Sequence, residues 1–208
     1  LLRKKYKDKI LQLPDIHKKA IISCYLASHL VYKWGLDWSP TIADVLPQLA
    51  EDPEIISWIM GIARKEATQA GRDPSLLKPI VCAPAYVSVD MAEAREQVRW
   101  FPAMVSNHVM DLLNRYDESE LPPALFEYVK RRKFYDYKNH SRVGAAHGEF
   151  VDDETCDRFC ILGTPEQHIE KIHQLKEVGV DQWNVYLMTH GQERTLDLYG
   201  KHIIPAFS

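Results

Sequence analysis

Residues 158–188 read RFCILGTPEQHIEKIHQLKEVGVDQWNVYLM, and the order of signals within them decides the fold class. A short hydrophobic run, which reads as a loop, stops at Gly163-Thr164-Pro165. Thr164 is placed as an N-cap. Pro165 suits the first helical position, and Gln167 stands where its side chain can close a capping box with the threonine. A helix is therefore expected from residue 165. Ile169, Ile172, Leu175 and Val178 recur at roughly helical spacing, and Gly179 follows as a C-terminal stop. After a tight Gly-Val-Asp joint, residues 182–188 alternate. Trp183, Val185 and Leu187 point one way, and Asn184, Tyr186 and Met188 the other, as a strand requires. Such short helix-to-strand joints are typical of α/β proteins with a parallel sheet.

Moving outward, KPIVCAPAYVS at residues 78–88 is an apolar, β-branched run that predicts a buried strand. Asp90 can cap the next helix, with Glu93 closing a second capping box, and apolar positions carry that helix from Met91 to about Leu113. A right-handed crossover sets strands 79–87 and 182–188 side by side and parallel, covered by the helices around 91–113 and 165–178. Upstream, Asp52-Pro53 reads as cap and first position of a helix to about Gln69. Residues 1–39 read as helical, and IADVLPQLAED at residues 42–52 as a second helix or a short strand at Val45 to Leu49. Between the βα units, Asn114 to Asp153 breaks the rhythm with a long polar insertion that holds a short helix at Ala124 to Lys133. Long insertions at strand ends more often carry function than not. Helices from about Asp153 and from Gln192 to Tyr199 complete the pattern.

The chain has 208 residues, 46% hydrophobic and 26% charged, which is enough apolar material for one sizeable core. Its net charge of −3 gives no basic field for nucleic acid, and no apolar stretch approaches the ~18 residues a membrane helix needs. A cytoplasmic protein is expected. Cys24, Cys82, Cys156 and Cys160 form no CxxC pair and read as buried thiols, so no metal site is expected from them. HExxH, P-loop and Ser-His-Asp patterns are missing, which leaves hydrolytic, metallo and NTPase chemistries unsupported.

Several blocks, in order, resemble one family. AGRDPSLLKPIVCAPAYVS, MAEAREQVRWFPAMVSNHV, DRFCILGTPEQHIEKIHQLKEVGVDQWNVYLM and YGKHIIPAF are similar to the C-terminal part of the luciferase-like flavin and deazaflavin oxidoreductases. Within that superfamily the likeness is to the relatives of coenzyme F420-dependent methylenetetrahydromethanopterin reductase. It spans residues 44–208 and is specific from about residue 70, while residues 1–43 form an unassigned helical segment. The resemblance implies an α/β fold, a partial (β/α)8 TIM-type barrel made of its C-terminal βα units with an insertion. It also implies hydride transfer between coenzyme F420 or FMN and a small organic substrate, the cofactor supplying the chemistry and the protein position and electrostatics. Active sites of such barrels lie at the carboxyl ends of the strands.

On that basis the expected cofactor contacts are Tyr86, Ser88, Gly163 and Thr164, and the expected substrate contacts are His140, Arg142, Tyr186 and His190. No side chain stands out as the catalytic acid or base. Each assignment has a plainer reading beside it. The TPEQ junction is a helix cap, and only secondarily an anion site made from free N–H groups and the helix dipole. His140, Arg142 and His147 hold a carboxylate or phosphate, or simply decorate a solvated loop. His108 and His168, on helices, are surface or satisfied core residues by default. An incomplete barrel would leave a sheet edge to cover, so self-association into a homo-oligomer is expected. A non-catalytic α/β module serving subunit association is the alternative function.

Overall fold

A computed structural model describes residues 52–207. The expectations for residues 1–39, the second helix or short strand at Val45 to Leu49, and Cys24 lie outside the described residues.

Helix α1, Pro53–Gln69, starts where Asp52-Pro53 requires. The Asp52 carboxylate accepts the backbone N–H groups of Glu54 and Ile55 at 2.9 and 3.1 Å and is itself held by Arg158 at 2.5 Å. Strand β1, Ile80–Val87, is the apolar run of the sequence, and α2, Met91–Val98, follows under an Asp90 cap. The long helix expected from Met91 to Leu113 is broken at Arg99, and α3 occupies Trp100–Leu113. Pro102 supplies the reason, because it lacks an N–H and its ring clashes with the carbonyl four residues earlier, at Val98. The insertion is built from single turns. Its one α-helix, α4, is Pro123–Phe126, continued by a 3₁₀ turn at Glu127–Arg131.

Helix α5, Asp153–Phe159, precedes a strand where the sequence predicts a loop. Ile161–Gly163 is strand β2, three residues long and buried throughout. Helix α6, Pro165–Glu177, then carries the predicted capping box, in which Gln167 Oε1 accepts the Thr164 N–H at 2.8 Å. Gly179, at φ +92°, makes the left-handed stop for which glycine is suited. Strand β3, Gln182–Tyr186, ends two residues before the alternation does. Helix α7, Gln192–Leu198, runs into a π turn at Tyr199–Ile203.

The three strands form one parallel sheet in the order β2-β1-β3. Strands 80–87 and 182–186 are thus adjacent and parallel, as expected. A (β/α)8 barrel sets consecutive strands side by side; β1 and β2 obey this, whereas β3 lies on the other side of β1. When strand order reverses in this way, right-handed crossovers must place the connecting helices on opposite faces. They do so. Ala94 and Val98 of α2 pack with Tyr86 and Leu162 in one core cluster, and Leu175 of α6 packs with Val81, Ala85, Val87 and Ile161 in another. Side chains of β1 therefore feed both cores, which is why β1 is apolar on nearly every position.

Candidate functional site at the carboxyl ends of β1 and β3

Ligands of open α/β sheets bind beyond the carboxyl ends of the strands, at the point where strand order switches. Here that point lies between β1 and β3. Tyr86 and Ser88 leave β1 on this rim, and both donate to one carboxylate: Tyr86 Oη to Glu93 Oε1 at 2.9 Å and Ser88 Oγ to Glu93 Oε2 at 3.1 Å. Glu93 does not close the second capping box that its spacing suggests. Asp90 caps α2 alone, and the Asp90 N–H is taken by Ser88 Oγ at 3.1 Å, which leaves Glu93 available to the two hydroxyls. Burial and the adjacent Glu93 carboxylate raise the Tyr86 pKa, partly offset by the Arg194 guanidinium, so the phenol keeps its proton.

From β3 the chain passes through Met188 and Thr189 to His190. The His190 backbone N–H donates to Gln97 Oε1 at 2.8 Å, and the Gln97 amide nitrogen lies 3.4 Å from His190 Nδ1. Thr189 is buried, and its hydroxyl has no hydrogen-bond partner among the described residues. Beside these polar groups, Val89 is 88% and Met188 45% exposed, an apolar surface that a planar ring could cover.

The expected residues divide into three sets. Gly163 and Thr164 do reach this rim: Gly163 is in register with Val87, and its carbonyl accepts the Ser88 N–H at 2.9 Å. Gly163 sits at φ +112°, and a Cβ there would lie 2.1 Å from Gln167 Oε1, so the capping box depends on this glycine. Tyr186 points elsewhere. Its ring packs edge-on against Phe101 at 6.0 Å, and burial, with Cys82 hydrogen-bonded beside the hydroxyl, pushes its pKa up to about 12. His140 and Arg142 bond inside the insertion, His140 with Tyr135 Oη at 2.8 Å and Arg142 with Asn139 Oδ1 at 3.4 Å. Among the described residues no hydrogen bond or ring contact ties them to the rim. Elsewhere in the insertion a cleft of about 290 Å³ is lined by Arg131, Lys133, Phe134, His147, Glu149 and Phe150.

The sequence places Thr189 at the end of the later strand but does not reveal Glu93 or Gln97 as site residues. Glu93 was visible only as a capping partner. Gln97 carries no local signal, because its partner is 93 residues away. The two helical histidines follow their default: His108 is exposed, and His168 is a fully buried, satisfied core residue.

The geometry defines an α/β protein with a switch-point site that offers hydroxyl, carboxylate, imidazole and apolar surface. The luciferase-like monooxygenase family model matches residues 40–182, and the chain belongs to that family. Two solved structures share the fold at a TM-score of 0.54. One is the coenzyme F420-dependent tetrahydromethanopterin reductase from Methanopyrus kandleri, 19% identical, with 83% of this chain and 50% of that chain covered. The other is an F420-dependent secondary alcohol dehydrogenase in complex with an F420-acetone adduct, 21% identical, with coverage of 81% and 46%. The chain spans about half the length of these relatives. No helix among the described residues is long and apolar enough to cross a membrane.

Proposed function

We propose that the chain is part of a luciferase-like oxidoreductase, of TIM-barrel type, that binds coenzyme F420 or FMN at the carboxyl ends of β1 and β3 and acts on a small organic substrate. The observation that carries this reading is the rim itself, where the hydrogen-bonded groups Tyr86, Ser88, Glu93 and His190 share the strand ends with exposed Val89 and Met188. The residues fit such a cofactor chemically. Because Glu93 takes the protons of both Tyr86 and Ser88, those hydroxyls keep lone pairs for a ligand N–H, while Thr189 has a hydroxyl proton to give to a ligand carbonyl. A flavin or deazaflavin ring offers such an edge of alternating carbonyl and N–H groups, so this fit does not choose between the two. When bound, the ring supplies the hydride-transferring centre.

What the protein does is position and tune. Glu93 orients two hydroxyls at once, and the protonated Tyr86 adds no negative charge to a site whose ligand gains electron density. Gly163 and Thr164 form the neighbouring edge. Since the capping box occupies the Thr164 N–H, they contribute shape more than a phosphate cradle. A small-molecule substrate and homo-oligomeric assembly in the cytoplasm belong to the same reading.

Spectral titration of the purified chain with FMN and with coenzyme F420 tests it. A saturable shift with one of them, weakened about tenfold by Glu93→Ala through loss of the oriented hydroxyls, is expected. Binding of neither compound overturns the proposal and favours the non-catalytic module.

A further inference from the structure

Gln97 is buried in α2, makes no contribution that its sequence neighbours reveal, and meets His190 twice. We propose that Gln97 is a positioning residue of this site, holding His190 in the Nε2–H tautomer so that the ring presents a hydrogen-bond donor, for an acceptor oxygen of a small-molecule ligand, at the carboxyl ends of β1 and β3. The inference rests on the reading above that a ligand binds there, and it names what His190 offers that ligand.

Which end of the Gln97 amide is oxygen fixes the tautomer of His190. A backbone N–H can only donate, so the atom 2.8 Å from the His190 N–H is the amide oxygen, Oε1. The other end is then the NH₂ group, and it lies 3.4 Å from His190 Nδ1. An amide NH₂ has no lone pair to offer. Nδ1 must therefore accept, and the proton of the neutral imidazole resides on Nε2. The His190 side chain is exposed while Gln97 is not, so the clamp comes from the protein interior and leaves the ring available to a ligand. Both contacts come from one amide, so the backbone at 190 and the ring are fixed together. A donor suits a carbonyl or carboxylate oxygen and repels a ligand group that can only donate.

A histidine of the core obeys the same constraint. His168 Nε2 lies 3.3 Å from the Tyr86 carbonyl, which can only accept, and its Nδ1 lies 2.7 Å from the Tyr199 hydroxyl. His168 therefore also carries its proton on Nε2. In His168 both nitrogens are consumed by the fold; in His190 only Nδ1 is.

Gln97→Glu separates the two jobs of the amide. A carboxylate still accepts the His190 N–H, but it presents an acceptor to Nδ1, which must then carry a proton to be bonded. Long-range nitrogen-15 spectra of the whole, ligand-free chain in alkaline buffer, assigned with His190→Gln, read the ring directly. Expected are a protonated Nε2 with a bare Nδ1 in the wild type, and a protonated Nδ1 in Gln97→Glu. A wild-type ring with its proton on Nδ1, or averaged between the two nitrogens, overturns the inference whether or not the variant folds. An unchanged ring in a folded Gln97→Glu does so too. These spectra need no ligand, so their failure is distinct from failure of the cofactor titration. If both proposals hold, Gln97→Glu binds the same cofactor about tenfold more weakly, and Gln97→Met falls in between.

Discussion

His168 in α6 and His147 in the insertion are buried to the same degree, with 0% and 2% of their surfaces exposed, yet the fold treats their nitrogens oppositely. His168 gives one proton to the Tyr86 carbonyl and takes one from the Tyr199 hydroxyl. His147 lies 4.4 Å from the Tyr135 ring, and neither of its nitrogens has a hydrogen-bond partner among the described residues. The difference follows from what surrounds each one. Around His168 a parallel ladder and a capped helix fix every backbone atom, so a carbonyl and a hydroxyl can be delivered to both sides of a ring within a few tenths of an ångström. His147 itself stands in a single 3₁₀ turn that packs against α3, and the neighbouring packing is aromatic: Tyr135 against Tyr137, and Tyr128 stacked on Phe150. Burial alone does not make a structural histidine; a regular scaffold that supplies both partners does.

The sharpest way to break the comparison is His168→Leu. Leucine fills a similar volume but leaves the Tyr86 carbonyl and the Tyr199 hydroxyl buried without a partner, and each such group costs ~1–3 kcal/mol. A loss of about 3 kcal/mol in urea unfolding, with an unchanged denaturant slope, is expected. A loss under about 1 kcal/mol would mean that the pair of hydrogen bonds does not stabilise α6 against the sheet.

Acid should produce a somewhat smaller effect in any accessible range. Burial lowers the His168 pKa from 6.5 to about 4, the Tyr86 carbonyl opposing this only in part. The fold therefore prefers the neutral ring. Above pH 6.5 neither the folded nor the unfolded chain protonates it, and the stability is full. As pH falls the unfolded chain binds the proton first, so stability drops through the window from 6.5 to about 4, by ~3 kcal/mol in total. Burial lowers the pKa of His147 too, with His140 and Arg132 acting in the same direction and Asp136 against, so its contribution has the same sign. Asp152 and Asp153, whose carboxyls are held below their usual range, lose their contribution only at lower pH. Urea midpoints measured across this window should fall in the wild type and stay much flatter in His168→Leu. An equally steep fall in the variant would place the titration on another group.

The same contrast explains what could be read from the chain itself. Wherever a local rule was sufficient, the element was legible: Asp52-Pro53 started α1, Thr164 with Gln167 started α6, Gly179 ended it, and the alternation after Asp181 gave β3 and its facing. Strand β2 was not, because three residues buried on both faces have no periodicity to show. The break at Arg99 was legible in principle from Pro102, but the apolar pattern runs straight through it. Of the rim, Tyr86, Ser88 and His190 were found from the family resemblance and the strand ends. Gln97 was not, since only the pairing of β1 with β3 brings it to residue 190. Tyr186 shows the limit of counting along a strand: its backbone lies near the rim, but its hydroxyl is turned to Cys82. His140 and Arg142 stand out only by residue type in a polar loop, and the loop uses them on Tyr135 and Asn139.

His147→Leu gives the smallest effect and the most direct reading of the contrast. Histidine to leucine removes two polar atoms that have no partner to lose, keeps most of the volume, and leaves the Tyr135 ring its apolar neighbour. The desolvation cost of an unpaired buried nitrogen, ~1–3 kcal/mol, disappears with it, while the loss of ring packing acts in the opposite sense. The two nearly cancel, so the variant should unfold within about 1 kcal/mol of the wild type, and on the stable side if the packing adjusts. Acid should also weaken this variant slightly less than the wild type, since a ring that resists protonation is gone. A loss of 2 kcal/mol or more, approaching that of His168→Leu, would show that the His147 nitrogens are bonded in solution. Regularity of the scaffold would then not be what separates the two histidines.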